Sequence, residues 1–427
     1  MKKLNRNKNG LRPFLTLWST QAFSALGSSM TGFALILWSY QQHGSALTTA
    51  LLSVCSYAPY VLLSIFAGII SDRWDKKRTM LVCDTLAALS TLAVWILFRT
   101  EALQVWHLYV INAVNGIMNS VQQPASEVAV SLLAPKEAYQ RVGGLRSFSN
   151  SLVTILTPVI ATAVFAFAGL DAVILFDLAS FAIAFLALAF LITVPARDKG
   201  KKPESIRASA RAGLQYLAGN RGILHLILFL AAINLIASVY EAALAPMLLS
   251  KAGEGALATV SAFTGIANVV GSVLASFLPA PQRRTRVICN CLLFSMCTEN
   301  FFLAFGKSVP IWCLGAVLGW LLIPLMNTNM DVLLRSQIPL EMQGRVYSVR
   351  NALQFFTIPL GYLVGGFLVD RVFEPFMQDK TGLLISLFGA GKGSGAAMLY
   401  SVLAVAGIGV CVYFRRDKRI RELEDHT

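Results

Sequence analysis

Twelve runs of predominantly apolar residues divide the chain, at about 14–40, 47–71, 79–98, 106–127, 146–168, 171–195, 222–249, 256–279, 286–305, 309–333, 346–370 and 396–414. A helix crossing a bilayer needs roughly 20 such residues, and most of the polar segments between the runs are short. The longest, 196–221, falls after the sixth run and divides them six and six. The pattern predicts an all-α membrane protein with twelve transmembrane helices in two pseudo-symmetric six-helix halves, 1–195 and 222–427. The linker between them is expected to form a surface helix over 205–217, with Ile206, Leu214 and Leu217 turned toward the membrane.

Polar residues inside several runs keep helical spacing. Asn112, Asn115, Asn119, Gln122 and Ser126 step by 3, 4, 3 and 4 along span 4. Gln21, Ser24, Ser28 and Thr31 step by 3, 4 and 3 on span 1, and Asn234, Ser238 and Glu241 by 4 and 3 on span 7. Span 10 offers Asn327 and Asn329 less regularly. Hydrocarbon contains no water, so each stripe must face a cavity or a partner helix. Interhelical hydrogen bonding is one reading of each, a ligand-lined cavity the other. Three acids inside the runs, Asp177, Glu241 and Glu299, call for a proton or a partner, because a charge at the bilayer centre costs about 2.5–3.5 kcal/mol on insertion scales. Prolines within runs (Pro59, Pro158, Pro324, Pro359) predict kinks.

Composition agrees with the pattern: 56% of residues are hydrophobic and 14% charged, too little charge for a soluble surface. The net charge of +14 would suggest nucleic acid in a soluble chain. Here the basic residues cluster in short inter-span segments, which excludes that reading. With both termini inside, thirty of the 36 Lys and Arg fall on the inner side and six on the outer, as the positive-inside rule requires. Seven cysteines, an odd number with no C-x-x-C pair, read as small buried hydrophobes, not as a disulfide frame or metal site. The four histidines lie in loops, in the tail or near a span end and carry no assigned role. The basic start followed by a run to about residue 40 exceeds a signal core and predicts an uncleaved first span. GAGKGSG before span 12 fails as a phosphate loop, since Gly393 follows Lys392 where Ser or Thr is required.

The halves repeat. Pro135, Glu137, Arg141, Val142 and Arg146 recur as Pro339, Glu341, Arg345, Val346 and Arg350 at a constant offset of 204, which also carries Glu127 onto Asp331. Duplication of this kind is common in secondary transporters.

One short turn is the most specific feature. In GIISDRWDKKRTML, Gly68, Asp72, Arg73, Lys76, Lys77 and Arg78 meet the pattern G-x-x-x-D-R-x-x-[KR]-[KR]-[KR]. This resembles the cytoplasmic loop signature of the major facilitator superfamily, with Asp75 where glycine is usual. LWSTQAFSALGSSM in span 1, GLQYLAGNR before span 7 and LEMQGRVYS before span 11 resemble its macrolide and siderophore efflux branch. The resemblance extends over nearly the full chain.

It implies that spans 1, 4, 7 and 10 line a central cavity, so Gln21, Ser28, Asn115, Asn119, Asn234 and Asn327 are expected to meet substrate. Glu241 is the first candidate for proton coupling. Asp177 and Glu299 are further candidates, on helices that usually pack outside the cavity. Gly68, Asp72, Arg73, Lys77, Glu127, Arg141, Asp331 and Arg345 are expected to form an inner gate. The function so implied is proton-driven export of an amphipathic small molecule, drug-, macrolide- or siderophore-like, by alternating access. The expected protein is a monomer in the lipid bilayer of a bacterial cytoplasmic membrane, with no cofactor, metal, nucleic acid or enzymatic step. Uptake or lipid translocation by a similar bundle, and a sensor that transports nothing, are the alternatives.

Overall fold

A computed structural model describes residues 12–73, 75–133, 139–194, 206–279 and 281–423. Among them all regular structure is helical, as expected where apolar segments must satisfy their backbone polar groups internally. In the N-terminal half the order is α1 (Arg12–His43), α2 (Ala46–Arg73), α3 (Lys76–Arg99), α4 (Val105–Leu133) and α5 (Tyr139–Leu186), which ends in a π-helical turn, Ala187–Leu191. The linker carries α6 (Ile206–Gly219). Next come α7 (Arg221–Phe277), α8 (Arg284–Phe305), α9 (Val309–Leu321), α10 (Ile323–Gln337), α11 (Leu340–Phe355) and α12 (Thr357–Phe367). A second π-helical turn, Leu368–Phe373, precedes α13 (Glu374–Gln378), α14 (Leu383–Phe388), α15 (Ser394–Arg416) and α16 (Lys418–Glu422).

Nine helical segments among the described residues are long and apolar enough to cross a membrane. Two far exceed one crossing, at 44 residues (Phe148–Leu191) and 57 residues (Arg221–Phe277). Each turns at a glycine with positive φ, Gly169 (75°) and Gly253 (77°), a conformation that glycine adopts without steric penalty. These turns fall between the fifth and sixth and between the seventh and eighth apolar runs. The amides of α4 keep it out of the nine. The described helices fall along the apolar runs. The tenth run breaks at Leu322, two residues before Pro324, and the eleventh at Phe356, three before Pro359, where a proline ring crowds the carbonyl four residues back; Pro59 and Pro158 instead lie inside α2 and α5 with no break there.

Contacts gather the chain into two compact units, Met1–Trp38 with Cys55–Ile206, and Ser39–Val54 with Arg207–Thr427. In the first, Leu17, Met80, Ala125, Ala129, Leu188 and Ile192 form a buried cluster joining α1, α3, α4 and the end of α5. The Trp18 indole donates to the Leu145 carbonyl at 3.0 Å. Lys77, in the basic turn, donates to the carbonyls of Ala189 and Ile192, both at 2.8 Å. It thereby satisfies acceptors that a helix end leaves open.

In the second unit α15 packs along α8, and α12 along α7, where Gly361 and Gly365 sit against Leu235, Ser238, Val239 and Ala242. The linker helix α6 corrects one expectation. Leu214 is exposed, but Leu217 is buried within the protein, the Tyr216 hydroxyl donates to the Gln337 carbonyl at 2.9 Å, and Gly213 lies against the Arg345 carbonyl. The helix is held by α10 and α11, so its Leu217 edge faces protein and not lipid.

The turn between α1 and α2 also belongs to the second unit. Asp370 accepts from the amides of Ala46 (3.0 Å) and Leu47 (2.8 Å) and from the Ser45 hydroxyl (2.6 Å), closing the N-terminus of α2. Lys392 donates to the Gly44 carbonyl at 2.6 Å, and the Tyr40 hydroxyl shares a 2.6 Å hydrogen bond with Ser250. The glycine-rich GAGKGSG is a helix cap: Glu374 accepts from the amides of Gly393 and Ala396 at the start of α15.

Two helix crossings depend on the absence of a side chain. A Cβ on Gly116 of α4 would lie 2.1 Å from the Ser56 carbonyl oxygen of α2, and one on Gly271 of α7 would lie 2.1 Å from that of Leu321. Small residues let membrane helices approach this closely. Gly116→Val and Gly271→Val are each expected to destabilise by about 1–3 kcal/mol or more through overpacking. Gly32→Ala, with nothing within 4 Å of its new Cβ, is the control. Thermal unfolding of the purified protein should lower the midpoint in the first two only.

Candidate functional site

In the first unit the polar stripe of α4 divides. Asn112 bonds back to the Leu108 carbonyl. Asn115 is half-buried with its side-chain carbonyl oxygen unpartnered, and Asn119 is exposed. Gln122 turns to Asp84 of α3, whose other carboxylate oxygen accepts from Gln21 of α1 at 3.4 Å. Asp84 was missed by sequence reasoning. The signal was an acid five residues inside the third apolar run, but its importance comes from two amides that converge on it from α1 and α4.

Asp177 of α5 is buried. It accepts from the Ser28 hydroxyl at 2.9 Å and from Thr91 at 3.5 Å. Gly27 makes this junction possible: a Cβ there would meet the Ser180 hydroxyl and the Asp177 backbone. Ser28 itself stays exposed, so one hydroxyl joins an open surface to a buried acid. Of the expected ligand contacts, Gln21 and Ser28 are therefore engaged with acids, and Asn115 and Asn119 keep free hydrogen-bonding capacity.

In the second unit Glu299 of α8 is buried. A single oxygen accepts from the Tyr240 hydroxyl at 2.5 Å and the Trp320 indole at 2.7 Å. Tyr400 donates to the Tyr240 carbonyl at 2.9 Å and meets its ring edge-on. Gly319 admits the acid, since a Cβ there would lie 2.6 Å from that of Glu299. Glu241, the next residue after Tyr240, is exposed and makes no hydrogen bond among the described residues. Asn327 is likewise exposed. Asn234 donates to the Gln354 carbonyl at 3.1 Å. Buried Asn329 takes a 3.0 Å hydrogen bond from Arg284, which makes it a packing residue.

The gate candidates are partly visible. Lys77 caps the end of α5 as described. Asp331 is exposed, within electrostatic reach of Arg350. Arg345 is half-buried, with its guanidinium 3.8 Å from the Met342 sulfur. Gly68, Asp72 and Arg73 belong to α2, Glu127 to α4 and Arg141 to α5; the side chains of these residues lie outside the described set.

A further polar group stands where α15 ends. His225 Nδ1 lies 2.5 Å from Asp417 Oδ2, and Arg419 reaches His225 Nε2 at 2.6 Å. Burial works against ionising Asp417. The hydrogen bonds from His225 and the Arg419 amide, with the Arg419 charge, outweigh it and hold the carboxyl below its ordinary range. That stabilisation is complete above the ordinary carboxylate value and is lost as the pH falls through the depressed one.

Residues 17–362 match the Major Facilitator Superfamily, and the chain belongs to that superfamily of multi-pass membrane transporters. Macrolide efflux protein A of Streptococcus pyogenes is 24% identical over 380 residues, covering 86% of this chain and 92% of the relative. Multidrug efflux pump Tap of Mycolicibacterium fortuitum is 23% identical over 376 residues, covering 84% and 89%. In fold the chain is similar to a bacterial homologue of the iron transporter ferroportin, crystallised in an inward-facing state, with a TM-score of 0.67 at 18% identity over 95% of this chain and 98% of that one. It is also similar to the nucleoside transporter NupG, with a TM-score of 0.65 at 11% identity over 95% and 99%.

Proposed function

We propose that the protein exports amphipathic small molecules, drug-, macrolide- or siderophore-like, in exchange for protons by alternating access. One observation carries the coupling: four acids sit well inside apolar helices, and none has a cationic partner among the described residues. Amides hold Asp84, hydroxyls hold Asp177, and a phenol and an indole hold Glu299, while Glu241 is unpartnered. Neutral donors offset only part of the charge penalty; a proton removes the charge itself. Such a group changes protonation when its access to water changes, and a coupling ion drives a carrier only if it binds the two states unequally.

Glu241 is the leading exchange site because it is open. Asp84 is its counterpart in the first unit. Amides and hydroxyls at Gln21, Ser28, Asn115, Asn119, Asn234 and Asn327, set among apolar side chains, suit ligands that are mostly apolar with a few polar groups. Export as the direction draws on the efflux relatives. The basic turn from Gly68 to Lys77, with Glu127, Arg141, Asp331 and Arg345, is the proposed inner gate. In this reading the carrier is monomeric, with both termini on the inner side.

The test is substrate-induced collapse of a pH gradient in everted membrane vesicles. A macrolide or a cationic amphipathic dye is expected to dissipate the gradient in vesicles bearing the wild-type protein. Glu241→Gln and Asp84→Asn should each reduce that flux at least about tenfold, with substrate binding retained. Flux that ignores a protonophore would remove the antiport reading. Wild-type proton dependence in Glu241→Gln would remove that residue from the coupling.

A further inference from the structure

The group at the end of α15 borders a cavity of about 630 Å³ lined by His225, Gly409, Val412, Tyr413, Arg416, Asp417 and Arg419. Its polar wall is internally ordered. A neutral His225 that donates from Nδ1 to Asp417 and accepts at Nε2 from Arg419 satisfies both contacts, and the Arg419 amide donates to the other Asp417 oxygen at 2.8 Å. Arg419 is thus held by one nitrogen with other donors free. Arg416 is exposed and makes no side-chain hydrogen bond among the described residues. Two guanidiniums against one carboxylate leave one net positive charge at the cavity.

The apolar wall continues along one face of α15. Val402, Val405, Gly409 and Val412 step by 3, 4 and 3, so they share that face. Val402 and Val405 are exposed, as is Tyr413 beside the cavity. Gly409 opens a notch between them, with no atom within 4 Å of the place its side chain would start. A groove of this kind on a membrane helix is covered by an acyl chain, and the charge distribution of the sequence puts its cationic end at the inner leaflet.

We infer that this cavity binds the phosphate headgroup of an anionic phospholipid of the inner leaflet. Arg416 and Arg419 take the phosphate, Tyr413 sits at the interface, and an acyl chain lies over Val402, Val405 and Gly409. A soluble anion would use only the cationic end, and a zwitterionic lipid would meet an uncompensated charge there. Only an anionic lipid uses both, with one phosphodiester charge against one net positive charge. Basic pockets beside membrane helices bind such headgroups by this electrostatic attraction.

The experiment uses the purified full-length protein in detergent, titrated with phosphatidylglycerol, with phosphatidylcholine of the same chains, or with inorganic phosphate. Native mass spectrometry reads the retained lipid and thermal unfolding reads the linkage. Phosphatidylglycerol is expected to be retained about tenfold better than phosphatidylcholine and alone to raise the unfolding midpoint. Arg416→Gln, which breaks no hydrogen bond, should abolish the preference. Gly409→Leu, which fills the notch and leaves the charges in place, should reduce retention of phosphatidylglycerol as strongly. Equal retention of the two lipids would overturn the proposal in favour of unspecific annular lipid. A phosphate-induced shift as large as that from phosphatidylglycerol would mean a soluble-anion site, and full retention by Gly409→Leu would eliminate the acyl groove.

Discussion

Glu299→Ala is expected to destabilise the second unit by about 3–6 kcal/mol. It leaves the Tyr240 hydroxyl and the Trp320 indole without their buried acceptor, at about 1–3 kcal/mol each, and opens a cavity between α8 and α9. Tyr240 also carries the Tyr400 hydroxyl on its carbonyl, so the disturbance should reach α15. Glu299→Gln keeps an oxygen for both donors and should lower stability by less than about 2 kcal/mol. Unfolding midpoints of the two variants separate these outcomes. An alanine variant as stable as wild type would show that the acid does not anchor the two aromatic donors. Transport by the glutamine variant then distinguishes two roles. A stable protein that has lost proton-dependent flux places Glu299 among the coupling groups, and one with normal flux leaves it as a packing anchor.

Asp370→Ala should release the start of α2. Its carboxylate closes two backbone amides and the Ser45 hydroxyl, a helix-capping and charge-assisted set worth about 2–3 kcal/mol. If local opening governs exchange there, hydrogen–deuterium exchange at Ala46 and Leu47 should accelerate roughly 30- to 150-fold. Asp370→Asn retains one acceptor oxygen and should fall between. Lys392→Met removes the bond to the Gly44 carbonyl and the cation over the Tyr40 ring but leaves the Asp370 set in place, and should give a smaller change in the same peptide. Unaltered exchange in Asp370→Ala would mean that packing of Gly366 against Leu47 and Ala50 holds the turn by itself.

Each long-range contact behind these predictions was beyond a reading of local pattern. The sequence alone determined the helical class, the positions of the apolar runs, the turns near Gly169 and Gly253, and the superfamily through Gly68 to Arg78. All of these depend on hydrophobicity, spacing or conformational preference within a few residues. It also picked out Asp177, Glu241 and Glu299, because an acid inside an apolar run is conspicuous without knowing its neighbours.

Tertiary structure decided what each of them touches. Asp84 acquires its meaning from amides 63 and 38 residues away, and Lys77 from carbonyls 112 and 115 residues on. His225, which carried no role in the sequence, meets Asp417 across 192 residues. Leu217 turns to protein because α10 and α11 happen to lie under that edge of α6. Periodicity states which residues share a face of a helix. Which helix, lipid or open space that face meets depends on how the helices pack, and no single segment encodes that.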